Sequence, residues 1–313
     1  MRLRLDPWPA EFDSPLAIEE GAGVPRQVDA TVECAEWAAV PRGEARADCC
    51  FVDGVRRVEA RVLGEQEGLL VHGLLGTLAA GFVRACDGVA QFGDVHLGRY
   101  LILGKGEAQA FELKIGGQTI AFDAYATEHN SPDGVLAELQ SLMRMAEARV
   151  AEQLASGKGC VFVDGLSYRA TGRFDVIGVI KRILEPYLPP DYFALVERLH
   201  KGERTPLFRI VDATYERYSC FLRLADPRAF EHPLAGVVRL EIGAAVGIER
   251  AKGLATLAAG MLPRFASSPM RDPRAPQNLL PVGALEQEMR RRMGDAMLIR
   301  RAIEKRLHEQ RDW

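Results

Sequence analysis

Two aspartates carry the first chemical suggestion in this chain. In "CCFVDGVRRVEARV", residues 49–62, Asp53 follows an apolar run and precedes a glycine, and in "GCVFVDGLSYRA", residues 159–170, Asp164 does the same. A carboxylate ending a strand near the centre of a sheet is costly to leave unpaired. A divalent cation removes that cost, and hard cations such as Mg²⁺ or Mn²⁺ prefer carboxylate oxygens. Two such ions about 3.5–4 Å apart activate water and steady the leaving oxygen in phosphodiester cleavage. That chemistry asks for three or four acidic side chains, from separate segments, that converge. An Asp-Gly pair also has a plainer reading as an ordinary turn, and spacing alone does not choose between the two.

The stretch between the aspartates offers Glu138, Glu147 and Glu152. In a helix whose buried stripe is Val135, Leu139, Leu142, Met143, Ala146, Val150 and Leu154, Glu147 falls on the shoulder of that stripe. Glu138 lies on the opposite shoulder and Glu152 points away. Asp175 and Glu241 are further candidates for a fourth carboxylate. Lys181, in the apolar "GVIKR", can contact a phosphate or steady the attacking water, or lay its stem along the surface with its ammonium in solvent. Arg56 follows the first Asp-Gly, and Arg223 in "FLRL" and Arg239 in "VVRLE" alternate with apolar neighbours. All three are candidates to hold backbone phosphates. The terminal "MRRRMGD" and "LIRRAIEKR" form a basic helical stretch that can meet DNA, a partner or water.

The elements that must position these groups follow from pattern. The 313 residues suffice for one large domain or two smaller ones, with 48% hydrophobic and 27% charged residues. A net charge of −3 and a pI near 6.1 argue against holding nucleic acid by bulk positive charge, though not against local basic grooves. The six cysteines are scattered without a C-x-x-C pair, which argues against zinc. "MRLRLDPWPAEF" breaks too early with charge and proline for a signal peptide, and "LLVHGLLGTLAAGFV" is too short and glycine-broken to span a bilayer. The expectation is a cytoplasmic protein without membrane contact.

Residues 1–46 read as an N-terminal arm, and 47–313 as the functional domain. "CCFVDG", "RRVEARVLGE" and "GLLVHGLLG" alternate like adjacent antiparallel strands. A strand-rich insertion around 90–130 follows, with a hairpin turn at Gly116-Gly117. Ser131-Pro132 caps a helix ending at Gly157. After the second Val-Asp-Gly strand, "DVIGVIKRILEPYLP" and "DYFALVERLHKG" read as helical at least in part. "PLFRIV", "YSCFLRLA" and "GVVRLEIG" read as strands, and the C-terminus as helical. This order fits an α/β, ribonuclease-H-like fold, a mixed central sheet flanked by helices that gathers acidic residues at one edge.

At this point the residues resemble a known family. "FVDGVRRVEARV", "RMAEARVAEQL" before "VFVDGLSY", "DVIGVIKR", "FLRL", "VVRLEI" and "APQNLLPVGALEQEMRRRMGD" stand in the order seen in NurA nucleases, from about Asp48 to the C-terminal helix. The resemblance implies a homodimer that cleaves DNA with Mn²⁺ (Mg²⁺ as the alternative). It implies a 5′-to-3′ exonuclease and single-strand endonuclease that works with a HerA-type hexameric ATP-driven translocase in end resection and double-strand break repair. Residue by residue, it implies that Asp53, Glu147 and Asp164 are metal ligands and that Lys181 is the lysine of the third motif. Many relatives carry a serine after each Asp-Gly, where Val55 and Leu166 stand here, and a histidine after the C-terminal proline, near which this chain offers Glu286. Glu286 is then either an extra acidic ligand or a helix-start acid.

Two other classes compete. An actin-like or sugar-kinase-like phosphotransferase also starts from an aspartate and glycine at a strand end, but its phosphate turns want small or hydroxyl residues where "DGVRR" and "DGLSY" present bulk. A non-catalytic DNA-end-binding module is the other. No G-x-x-x-x-G-K-[ST] loop is present, so ATP hydrolysis would come from elsewhere. Met289, Met293, Met297 and Leu298 read as core, or as a dimer or partner contact.

Overall fold

The computed structural model describes residues 2–5, 26–44, 48–66, 68–86, 88–105, 109–156, 160–165, 175–181, 183, 186–211, 215–268, 270 and 275–309. Leu166 and Gly157 lie outside the described residues. In chain order the strands are β1 (Arg2–Leu5), β2 (Gln27–Asp29), β3 (Cys49–Gln66), β4 (Leu69–Cys86), β5 (Val89–Gly104), β6 (Phe111–Ile115), β7 (Gln118–Thr127), β8 (Cys160–Asp164), β9 (Val176–Ile180), β10 (Phe208–Val211), β11 (Glu216–Arg223) and β12 (Val237–Gly243). The helices are α1 (Pro132–Ala155), α2 (Pro190–Arg198), α3 (Ile248–Met261), α4 (Leu280–Arg292) and α5 (Ala296–Glu309).

Among the described residues the strands form one mixed sheet in the order β2-β10-β11-β12-β9-β8-β3-β4-β5-β7-β6, with β1 pairing the far half of β3. Its centre is the antiparallel meander β3-β4-β5, to which β8 adds parallel to β3, and β9 parallel to β8. A parallel neighbour requires a crossover, and α1 supplies it. Ser131 caps α1, its hydroxyl accepting from the Gly134 amide at 3.0 Å, with Pro132 in the first turn.

The structure departs from the sequence expectation in three places, and the strands expected around 90–130 are present. "CCFVDG" and "RRVEARVLGE" are one 18-residue strand, β3, so Asp53 sits inside a strand rather than at its end. The segment around 90–130 continues the sheet as β5, β6 and β7, with the hairpin at Gly116 and Gly117 as expected. "VIGVI" is strand β9, and Lys181 immediately follows it rather than lying in a helix. The C-terminal helical stretch is two helices broken at Gly294, after which Asp295 accepts from the Leu298 amide at 2.9 Å.

Successive strand residues face opposite sides, and the two sides of β3 and β8 meet different helices. Phe51, Val55 and Phe162 pack with Val282, Leu285 and Met289 of α4 and with α3. Cys50, Val52, Val161 and Val163 pack with Ala148 and Ala151 of α1. Met289 and Met293 belong to the first core, whereas Met297 and Leu298 are exposed. No helix of the described residues is long and apolar enough to cross a membrane.

Candidate metal centre

The alternation decides which carboxylates meet. Asp53 shares the α4 side of the sheet with Phe51 and Val55, and Asp164 continues the same side from Phe162. On β9, Ile177 and Val179 face that side too, and two residues on stands Lys181. Glu286, on α4, therefore approaches from the helix that covers both aspartates. Glu147, on α1, approaches from the other face.

One carboxylate oxygen each from Asp53, Asp164 and Glu286 lies within 4.8 Å of the others. Asp53 is 5% exposed, and its Oδ2 is buried with no hydrogen-bond partner among the described residues. A buried carboxylate oxygen without a partner is a strong cost in a neutral environment. Burial, then the neighbouring charges of Asp164 and Glu147, push the Asp53 carboxyl well above the usual carboxylate range. Burial and Asp164 likewise raise Glu147, to about 8, against the opposing pull of Arg144 and the Gly54 amide. Groups so shifted, gathered in a cleft, mark a functional-site candidate.

The cleft has a volume of about 570 Å³ and takes in Asp53, Glu147, Asp164, Lys181 and Glu286. Lys181 donates to Asp164 Oδ2 and, at 2.6 Å, to Asn278 Oδ1. The rim is basic, with Arg56, Arg144 and Arg290. Arg56 is fixed by Gln140, whose Oε1 accepts from its Nε at 2.5 Å. Three hard oxygen donors, an orphaned buried oxygen among them, and a surplus of negative charge fit a divalent cation of the Mg²⁺ or Mn²⁺ type.

The remaining sequence candidates are placed elsewhere. Arg223 is fully buried and donates to the carbonyls of Ala235, Val196, Glu197 and Pro233, so its guanidinium closes a loop junction and faces no groove. Arg239 pairs with Glu241 at 2.9 Å and lies over the Tyr187 ring at 4.2 Å. Glu241, also paired with Arg217, stays in that buried cluster. Glu138 meets Thr127 and Tyr125, Asp175 pairs with Arg250, and Glu152 does not line the cleft. Asn278, Gln140 and Arg144 are not among the sequence candidates, and Arg290 stands there only within the basic stretch "MRRRMGD". The face arithmetic of β3 and β8 puts both aspartates on one side of the sheet, but it takes the packing of α4 on that side to bring Glu286 to them.

No family model and no curated protein matches this chain. Among solved structures, the crystal structure of the NurA nuclease from Sulfolobus solfataricus is similar to it at 12% identity, over 88% of this chain and 89% of that one, with a TM-score of 0.47.

Proposed function

We propose that this chain is a divalent-metal-dependent DNA nuclease, built on a ribonuclease-H-like core spanning 47–313 and preceded by an arm at 1–46. The observation that carries the reading is the approach of carboxylate oxygens of Asp53, Asp164 and Glu286 to within 4.8 Å, with a buried Asp53 oxygen that has no partner among the described residues. The meander β3-β4-β5 followed by parallel β8 and β9 supports the fold assignment. DNA as substrate rests on the ordered sequence resemblance to NurA nucleases and on the arginines at the cleft's mouth.

In this reading Asp53, Asp164 and Glu286 hold the cation, Mn²⁺ by the resemblance with Mg²⁺ as the alternative. Bound there, it supplies Lewis-acid activation of water and offsets phosphate charge. Glu147 stands behind Asp53 and orients water from the α1 side. Lys181 offsets charge that develops on the phosphate. Arg56, Arg144 and Arg290 position the strand by its backbone. Gly54 argues against the phosphotransferase reading: it lies inside an unbroken strand with the Glu147 carboxylate against it, and leaves no turn to cradle a phosphate.

The finer reading is a cytoplasmic homodimer acting as a 5′-to-3′ exonuclease and single-strand endonuclease in DNA end resection and double-strand break repair. A HerA-type translocase would feed it the strand. The net charge of −3 supports needing such help, since a weakly acidic protein grips DNA poorly alone. The test is cleavage of labelled single- and double-stranded DNA with Mn²⁺, with and without a HerA-type partner, in the wild type and Asp53→Asn. Cleavage by the wild type and none by the variant, at an unchanged fold, is expected. Full activity in Asp53→Asn overturns the site, and DNA binding without cleavage by the wild type favours the non-catalytic module.

A further inference from the structure

Lys181 is held by two partners that come from different elements. Asp164, at the end of β8, belongs to the acidic trio, while Asn278 is 1% exposed and precedes α4 by two residues. The Asn278 contact is a neutral one: an amide oxygen accepts an N–H without cancelling the ammonium's charge. An ammonium on a four-carbon stem has many rotamers, and one acidic neighbour would draw it fully onto itself. A second acceptor 2.6 Å away fixes where the charge stands. Asn278 also lies on the segment that leads into the helix carrying Glu286, with the next residue, Leu279, bridged to Ala266.

From this geometry we propose that Asn278 is a positioning residue: it acts through Lys181, anchoring the ammonium beside the Asp53–Asp164–Glu286 trio so that its charge reaches a bound phosphate. The proposal rests on the nuclease reading for its kinetic consequence, but the anchoring itself does not. Without the amide oxygen, the ammonium collapses onto Asp164, which competes with a cation for that carboxylate and leaves the phosphate unattended.

The experiment is a double-mutant cycle between Asn278→Ala and Lys181→Ala, with Asn278→Leu as a second variant that keeps the heavy-atom branching without the amide oxygen. Two readouts are used: Mn²⁺ affinity by calorimetric titration, and the cleavage rate and KM on single-stranded DNA. Asn278→Ala is expected to weaken Mn²⁺ binding and to lower kcat about 10–100-fold, with KM nearly unchanged, the loss appropriate to a misplaced charge. Both effects are expected to vanish in the Lys181→Ala background, where nothing remains to be positioned. Effects that persist at full size in that background, or a wild-type Mn²⁺ affinity in both Asn278 variants, overturn the proposal. If the wild type binds Mn²⁺ but cuts no DNA, the nuclease reading fails, and the Mn²⁺ cycle still decides the role of Asn278.

Discussion

The Glu147 carboxylate occupies the space that a side chain at Gly54 would fill. A Cβ built on Gly54 would lie 2.5 Å from Glu147 Oε1 and 2.9 Å from its Cδ and Cγ. Gly165, the partner glycine in the second Asp-Gly, does something different. It has φ +87°, with nothing within 4 Å of the Cβ position, and turns the chain after β8. One dipeptide thus serves two purposes, a gap for a helix carboxylate in β3 and a left-handed turn after β8.

Gly54→Ala should therefore act on the site more than on the fold. The atoms in the way belong to the far end of one flexible side chain, so Glu147 swings aside and the sheet stays intact. The expected outcome is a cleavage rate lower by about 10²-fold, as for a catalytic group displaced by an ångström, with far-ultraviolet circular dichroism unchanged. Gly165→Ala should instead destabilise by about 1–2 kcal/mol through backbone strain, measured by urea denaturation.

The raised carboxyls make stability and metal binding depend on pH in opposite senses. Glu147 ionises near its ordinary 4.5 in the unfolded chain but at about 8 in the folded one, and burial moves Asp53 the same way. Between those limits the folded state binds more protons, so stability falls as pH rises, by at most about 1.4 kcal/mol for each unit of difference. Metal-free protein should thus melt at a lower temperature at pH 8 than at pH 5. A cation competes with these protons, so the Mn²⁺-induced rise in Tm should be larger at pH 8. Scanning calorimetry at both pH values checks this, and a Tm independent of pH would count against the buried acidic site.

Arg290 is exposed, lies on α4 one turn from Glu286, and reaches the same cleft. As a phosphate contact it carries no sequence information. Arg290→Ala should weaken single-stranded DNA binding alike for all sequences and reduce the slope of log K against log salt by about 0.7, one phosphate's share. Fluorescence anisotropy across a salt series measures both. An unchanged slope would remove Arg290 from the strand's path.

Much of this arrangement could be read from the chain. The β3-β4 meander, the Ser131 cap of α1, strands β10 to β12 and the two aspartates all follow from local alternation and capping, which act over a few residues. What was hidden depends on tertiary choice. A glycine in mid-strand looks like a turn until a helix is known to press against it, so the pattern alone places Asp53 at a strand end. "GVIKR" is short and apolar, and such runs do not distinguish strand from helix. Arg223 alternates like a groove-facing residue, yet four buried carbonyls claim its guanidinium. Glu286 lies far along the sequence from both aspartates, and only the packing of α4 on the Phe51 side brings it near.

That packing has an anchor whose removal should reach the site from a distance. At the bulge in β3, Glu59 accepts from Arg57 Nε and Nη2 at 2.8–3.0 Å and from the Thr77 hydroxyl at 2.6 Å. The same Arg57 donates to the Gly294 carbonyl at 3.0 Å, and Arg99 to that of Met293 at 3.3 Å. Glu59 thus orients the arginine that ties the C-terminal end of α4 to the sheet. Arg57 keeps 19% of its side chain exposed, so the charge that Glu59→Ala leaves behind meets water, and the lost hydrogen bonds of a buried carboxylate should cost about 1–3 kcal/mol. Because α4 carries Glu286, Mn²⁺ affinity should fall with it. Glu288→Ala is the control: on the same helix, Glu288 meets only the solvent-facing Arg291 and Arg292 among its described partners, and its loss should leave Mn²⁺ binding as it was. Titration calorimetry on both variants, with their denaturation curves, measures the two effects together. Wild-type Mn²⁺ affinity in a destabilised Glu59→Ala would show that α4 holds Glu286 in place without this anchor.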